Sequence, residues 1–166
     1  MELLAPAGSR QALTAAVQSG ADAVYLGGPQ FGARYSAENF TIEEMKTWVD
    51  YCHLYGVDVH VTVNTLVKEK EIESLKEYLK QLNKIGVDAL IVQDMGAVEI
   101  IKKTVPDMTL HASTQMTVTS LEGVKYLEDM GFSRVVLARE LSEKEIEHIC
   151  KNAKAEIEVF VHGAIC

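Results

Sequence analysis

Gly86-Val87-Asp88-Ala89-Leu90 is one of four similar stretches that recur along the chain. In each, a glycine ends a helix-like segment, a short polar loop follows, and an apolar run begins. Glycine just past a helix end suits the left-handed cap conformation, and a β-branched run after it suits a buried parallel strand. The other three are Gly20-Ala21-Asp22-Ala23-Val24, Gly56-Val57-Asp58-Val59-His60 and Gly131-Phe132-Ser133-Arg134-Val135.

The repeat predicts seven strands with helices between them. We place the strands near Glu2–Pro6, Ala23–Gly27, Asp58–Asn64, Ala89–Gln93, Thr109–Ser113, Arg134–Ala138 and Glu156–Val161. Strands that alternate with helices indicate an α/β fold with a parallel sheet. Capping boxes at Thr41 with Glu44, and at Ser142 with Glu145, predict two of the helix starts.

Two α/β architectures fit this alternation. A doubly wound sheet usually carries a glycine fingerprint after its first strand, and Pro6-Ala7-Gly8-Ser9-Arg10 does not match it. A (β/α)8 barrel needs eight units and typically ~250 residues. The sequence therefore predicts an incomplete (β/α)8 TIM-type barrel of about seven parallel strands, as a single domain over residues 1–166.

Composition excludes several classes of protein. The 166 residues are 48% hydrophobic and 24% charged, which is typical of a globular domain with a core and not of a disordered chain. The apolar runs are too short for a membrane span, and the N-terminus lacks the pattern of a secretory signal. Three cysteines cannot form a disulfide framework, which favours a cytoplasmic setting. A net charge of −8 argues against a large nucleic-acid footprint on this segment.

Polar residues collect at the ends of the predicted strands. Because chemistry in a barrel lies at the carboxyl ends of strands, these residues are the candidates for a site. The last three strands supply His111, Gln115, Arg139, Glu140, His162 and Cys166; earlier strands supply Ser9, Arg34, Asn39, Asn64 and Asp94. Each has a structural alternative: Ser9, Ser113 and Asp94 could cap helices, and Arg139 with Glu140 could form a local ion pair. Self-contained zinc, nucleophile-elbow and Walker motifs are missing.

The last predicted strand carries a recognisable motif. Glu158, Phe160, Gly163, Ala164, Ile165 and Cys166 stand at the spacing Glu-x-Phe-x-x-Gly-Ala-Ile-Cys, which resembles the start of the signature of peptidase family U32. Further segments resemble the family in the same order: Leu4-Ala5-Pro6-Ala7-Gly8-Ser9, residues 21–28, Phe31-Gly32-Ala33-Arg34, His111-Ala112-Ser113-Thr114-Gln115 and residues 137–142. The resemblance spans the chain and implies an N-terminal part of a longer family member.

The resemblance implies more than one activity. The family is named for collagenase-like proteases, and other members are tRNA, ribosomal RNA and ubiquinone hydroxylation proteins. Several of these hold a [4Fe–4S] cluster on four cysteines. Cys166 matches the first of them, so we expect the cluster in the full-length protein and not in this fragment. We favour Fe–S-dependent RNA hydroxylation, with Arg139 binding the carboxylate or phosphate of an RNA or small-acid substrate.

Two alternatives remain at this stage. A protease would need an activated nucleophile, but His162 and Cys166 would lie ~13 Å apart on an extended strand unless it bends at Gly163. The other is a non-catalytic binding domain. A missing eighth strand would also leave an exposed sheet edge, which predicts oligomerisation through that edge.

Overall fold

The computed structural model describes residues 1–33 and 40–162. The chain divides into two compact units, Met1–Met108 and Thr109–Cys166, and each is described by itself. Parallel strands alternate with helices in both units, which confirms the predicted fold class with the repeating unit of a (β/α)8 barrel. That the whole chain is a single domain stays a prediction.

The first unit contains four strands in chain order. They are β1 (Leu4–Pro6), β2 (Ala23–Gly27), β3 (Asp58–Val63) and β4 (Ala89–Val92), and the helices are α1 (Arg10–Gln18), α2 (Ile42–Leu54), α3 (Ile72–Ile85) and α4 (Met95–Thr104). In the parallel register, Ala23 stands opposite Asp58, and His60 stands opposite Ala89. Fully buried side chains from strands and helices form its core, among them Leu13, Leu26, Met45, Leu79 and Leu90.

The second unit contains three strands and two helices. Its elements are β5 (Thr109–Ala112), α5 (Leu121–Asp129), β6 (Arg134–Val136), α6 (Glu143–Asn152) and β7 (Glu156–Glu158), with a 3-10 turn at Thr114–Met116. Arg134 stands opposite His111 on one side and opposite Glu156 on the other. These three positions therefore lie at one level of the sheet and share one face.

The local signals of the sequence are borne out. Gly20, Gly56, Gly86 and Gly131 all have positive φ values, between 69° and 86°, as the repeated cap requires. Thr41 caps α2 with a reciprocal capping box, and Ser142 precedes α6 with its N–H donating to Glu145 Oε2 at 2.7 Å.

Five of the seven strands end one to three residues earlier than predicted. The last strand is the clearest case, because it was expected to reach Val161 and ends at Glu158. Just past β6, Leu137 N–H still donates to the carbonyl of Glu158, but Ala138 N–H donates to the carbonyl of Val118. The chain therefore leaves the ladder before the polar residues begin.

Candidate functional site

A pocket lies where the chain leaves β6 and β7 in the second unit. Its volume is about 250 Å³. Among the described residues that line it, none is acidic. They are Arg139, His162 and seven apolar residues: Leu137, Ala138, Leu141, Ile146, Val159, Phe160 and Val161. The pocket thus combines an apolar wall with one permanent positive charge.

Arg139 is positioned by the turn between β6 and α6. The hydrogen bonds of Leu137 and Ala138 to Glu158 and Val118, both 3.0 Å long, fix the backbone just before it. The carbon of its guanidinium group lies 4.2 Å from the centroid of the Phe160 ring. At this distance the electron-rich face of the ring attracts the cation. Arg139 is therefore held by stacking.

The Arg139 guanidinium keeps donor capacity for a ligand. Its Nε is buried and has no hydrogen-bond partner among the described residues. Arg139 also lines the pocket, so its guanidinium is the positive group that an anionic ligand there would pair with. An arginine presents its donors as a planar fork, which matches the two oxygens of a carboxylate or phosphate.

The structure brings together only part of the predicted site. Arg139 and His162 line the pocket, and Glu140 is exposed in the same turn but does not line it. Gln115 is exposed in the 3-10 turn after β5. His111 is buried inside β5, level with the first residue of β6, whereas Arg139 follows the last residue of that strand by three positions. Arg34, Asn39 and Cys166 lie outside the described residues.

Sequence reasoning missed an ion pair between a buried arginine at the start of β6 and two glutamates of β7. The Nε of Arg134 donates to Glu156 Oε2 at 2.9 Å, and its Nη1 lies 3.7 Å from Glu158 Oε2. The Arg134 side chain is only 9% exposed. The residue types were visible in the sequence, because Arg134 begins β6 and glutamates occupy the first and third positions of β7. Their pairing could not be predicted, because it depends on the register between the two strands.

In the first unit, polar side chains at strand ends serve neighbouring loops. Asn64 Oδ1, after β3, accepts a hydrogen bond of 3.0 Å from Ala33 N–H. Asp94, after β4, accepts from Ala97 N–H at 2.9 Å and from Val67 N–H at 3.0 Å. The bond from Ala97 N–H caps α4, which confirms the structural alternative that the sequence left open for Asp94. These groups have become structural, as has Ser9, which caps α1.

The loop after β2 lies against a buried tyrosine. A Cβ atom on Gly28 would be 1.9 Å from the hydroxyl oxygen of Tyr78 and 3.2 Å from the sulfur of Met45. That hydroxyl is buried without a hydrogen-bond partner among the described residues, and burial raises the pKa of Tyr78. The Phe31 ring packs beside it, with 5.9 Å between ring centroids. Only glycine fits this close approach.

The described residues do not by themselves fit an iron–sulfur cluster. Within residues 1–33 and 40–162, there is no group of three or more His, Cys, Asp or Glu side chains placed to hold a metal ion. Cys52 is buried on α2, and burial, with the nearby Asp88 carboxylate, raises its pKa to about 11. Cys150 is exposed on α6. Thiolates are the cluster ligands, so Cys52 is a poor candidate.

None of the helices within residues 1–33 and 40–162 is long and apolar enough to cross a membrane.

Comparison with known proteins identifies relatives along nearly the whole chain. The sequence profile of peptidase family U32 matches residues 8–166. The 23S rRNA 5-hydroxycytidine C2501 synthase of Escherichia coli (strain K12) is 44% identical over 166 residues, which are 100% of this chain and 25% of that protein. The tRNA hydroxylation protein P1 of Bacillus subtilis (strain 168) is 41% identical over 99% of this chain and 39% of its own length.

A solved structure shows the same fold. The U32 peptidase Mk0906 superposes with a TM-score of 0.77 at 20% sequence identity, over 96% of this chain and 68% of that one. At this identity the likeness concerns the fold alone. The chain spans between a quarter and two fifths of the length of the two RNA-related proteins named above.

Proposed function

The chain belongs to peptidase family U32, and we propose that the protein takes part in the hydroxylation of a base in transfer or ribosomal RNA. Two relatives named for RNA hydroxylation support the proposal, because they are 44% and 41% identical over nearly all of this chain. The structural observation that carries it is the pocket beside β6 and β7. There an arginine donor without a partner among the described residues faces a largely apolar wall.

Each predicted site residue has a distinct role in this proposal. Arg139 binds an oxyanion of the substrate, and His162, on the pocket wall, donates or accepts a proton. Glu140 and Gln115 are exposed and orient the substrate from outside the pocket. His111 is buried level with Arg134, so it acts by positioning the strands.

The cofactor part of the proposal rests on the family resemblance. It assigns Cys166 as one of four cysteine ligands of a [4Fe–4S] cluster, whose chemistry would be electron transfer or substrate activation. Iron and sulfide analysis of the anaerobically purified full-length protein tests this assignment. We expect close to four irons per chain, and Cys166→Ser is expected to lower that number.

A direct test of RNA hydroxylation compares cells with and without the gene. Nucleosides from purified tRNA and ribosomal RNA are measured by mass spectrometry in the deletion strain and after complementation. We expect one hydroxylated pyrimidine to disappear on deletion and to return with the wild-type gene. An unchanged nucleoside profile in both RNA fractions would contradict the proposal.

The protease alternative makes an opposite prediction. It requires cleavage of collagen-derived peptides by the purified full-length protein, and loss of cleavage on Cys166→Ser without any change in RNA. Peptide cleavage with that dependence would favour the family's named activity, and its absence would favour hydroxylation or a non-catalytic binding domain.

Two further properties complete the proposal. RNA substrates place the protein in the cytoplasm, which fractionation of cells checks. We also propose self-association through an exposed edge strand of the sheet. Sedimentation of the full-length protein as a monomer at micromolar concentration would contradict self-association.

A further inference from the structure

The pocket in the second unit has the features of a site for one nucleotide of an unpaired RNA strand. Its volume of about 250 Å³ is several times the ~30 Å³ that one water molecule occupies in the liquid. It is therefore large enough for a single-ring base.

The chemistry of the lining separates into two parts. Phe160 is 37% exposed, and with Leu141 and Val159 it offers apolar contact to a planar ring. Arg139 supplies the charge, and its Nε donor has no partner among the described residues. No acidic side chain is among the described residues that line the pocket, which favours an anionic group there.

Resting on the proposed function, we infer that this pocket binds one unstacked nucleotide of single-stranded RNA. The phosphate lies on the guanidinium of Arg139 and the base lies against Phe160. Single-stranded RNA is recognised by this combination of aromatic or arginine stacking and phosphate contacts. The shared chemistry, an oxyanion attached to a planar apolar ring, also describes an aromatic carboxylic acid, and the experiment must separate the two.

The experiment measures RNA binding by the full-length protein. A fluorescein-labelled single-stranded RNA of twelve nucleotides is titrated by anisotropy at several KCl concentrations. Arg139→Met removes the charge and keeps an unbranched side chain over Phe160. We expect binding to weaken about tenfold and the slope of log K against log salt to fall by about 0.7, the value for one phosphate contact on a single strand.

Two further variants sharpen this result. Phe160→Leu should weaken binding about tenfold, as loss of one stacked base does, without changing the salt slope. Lys125→Met is the matched control, since it removes one exposed positive charge on α5 of the same unit. It should leave both the affinity and the slope as in the wild type. Circular dichroism confirms that each variant folds, and Phe160→Leu serves if Arg139→Met does not.

Competition identifies the source of the oxyanion. Cytidine 5′-monophosphate should displace the labelled RNA from the wild type and lose that ability with Arg139→Met, whereas benzoate should not compete. Competition by benzoate but not by the nucleotide would overturn the inference. So would a wild-type affinity together with a wild-type salt slope in both Arg139→Met and Phe160→Leu. If the wild-type gene restores the hydroxylated nucleoside while these variants bind RNA normally, the inference fails and the proposed function stands. If no nucleoside changes on deletion, the proposed function fails.

Discussion

The start of β6 and the turn after it each carry one arginine, and the two side chains have opposite surroundings. Arg134 is 9% exposed and bonds to Glu156, with Glu158 within 4 Å. Arg139, five positions later, stacks on Phe160 and keeps a buried donor without a partner among the described residues. The difference shows that an arginine at one end of a strand can pair with carboxylates while an arginine past the other end packs on an aromatic ring instead.

The first unit follows the pattern of Arg134. Asn64 and Asp94 stand at the carboxyl ends of strands, where a barrel would carry its chemistry, yet their side chains bind loop and helix backbone. Residue type and strand position therefore do not distinguish a structural group from a functional one. The observed backbone partners identify Asn64 and Asp94 as structural.

The largest expected effect on stability is that of Arg134→Met. Removal of the cation leaves Glu158, which is 20% exposed, without the guanidinium nitrogen 3.7 Å from its Oε2. Breaking a buried ion pair typically costs about 3 to 5 kcal/mol, and because Glu156 is 66% exposed we expect the lower end, about 3 kcal/mol. Urea unfolding of the protein should show this loss. The control Arg134→Met with Glu158→Gln should recover part of it. A stability equal to that of the wild type would mean that Arg134 is as dispensable to the fold as we expect Arg139 to be.

Asp94→Ala is next in size. It removes the cap of α4 and the bond to Val67 N–H, and the loss of two bonds to one carboxylate costs about 2 kcal/mol. Asp94→Asn keeps one acceptor oxygen, but its amide group faces the other N–H as a second donor, so it should cost at least half as much. Thermal unfolding measures both variants, and a wild-type stability of Asp94→Asn would show that one of the two bonds contributes nothing.

Asn64→Ala tests the single bond to Ala33 N–H. Since one hydrogen bond typically contributes about 1 kcal/mol, the variant should lose about that amount. Asn64→Asp, which keeps the acceptor, is the control and should retain most of the stability. Hydrogen exchange at the Ala33 amide should accelerate in Asn64→Ala and stay slow in the control. Slow exchange in both variants would mean that the Asn64 side chain does not protect this amide.

The smallest effect on stability is expected for Arg139→Met, at below about 0.5 kcal/mol. The contact between the guanidinium and Phe160 is weak where water can reach it, and a methionine sulfur also packs well on an aromatic ring. The same urea unfolding measures it beside Arg134→Met. A loss as large as that of Arg134→Met would make both arginines structural and erase the contrast.

Much of the fold follows from local sequence. The four glycine stretches predicted the caps, and the apolar runs predicted the seven parallel strands, because both signals lie within a few neighbouring residues. The candidate site was predicted only in part. Arg139 and His162 were identified from their positions after strands, since that rule is also local.

The rest of the site depends on contacts between distant residues. Phe160 lies 21 positions from Arg139, and no local pattern states that their side chains meet. His111 was grouped with Arg139 because both follow the rule of strand ends, but the register places His111 opposite Arg134. Pairing register and side-chain stacking are set by packing of the whole unit, which a single sequence does not specify.

Because Gly28 and Tyr78 lie so close together, the side chains that are tolerated at one of these positions depend on the side chain at the other. A methyl group at position 28 would overlap the tyrosine hydroxyl, so Gly28→Ala alone should be poorly tolerated. Shortening position 78 to leucine would free that space, so the pair of changes should be less harmful than the sum of the two. Any redesign of the loop after β2 must therefore choose position 28 of the loop and position 78 of α3 together.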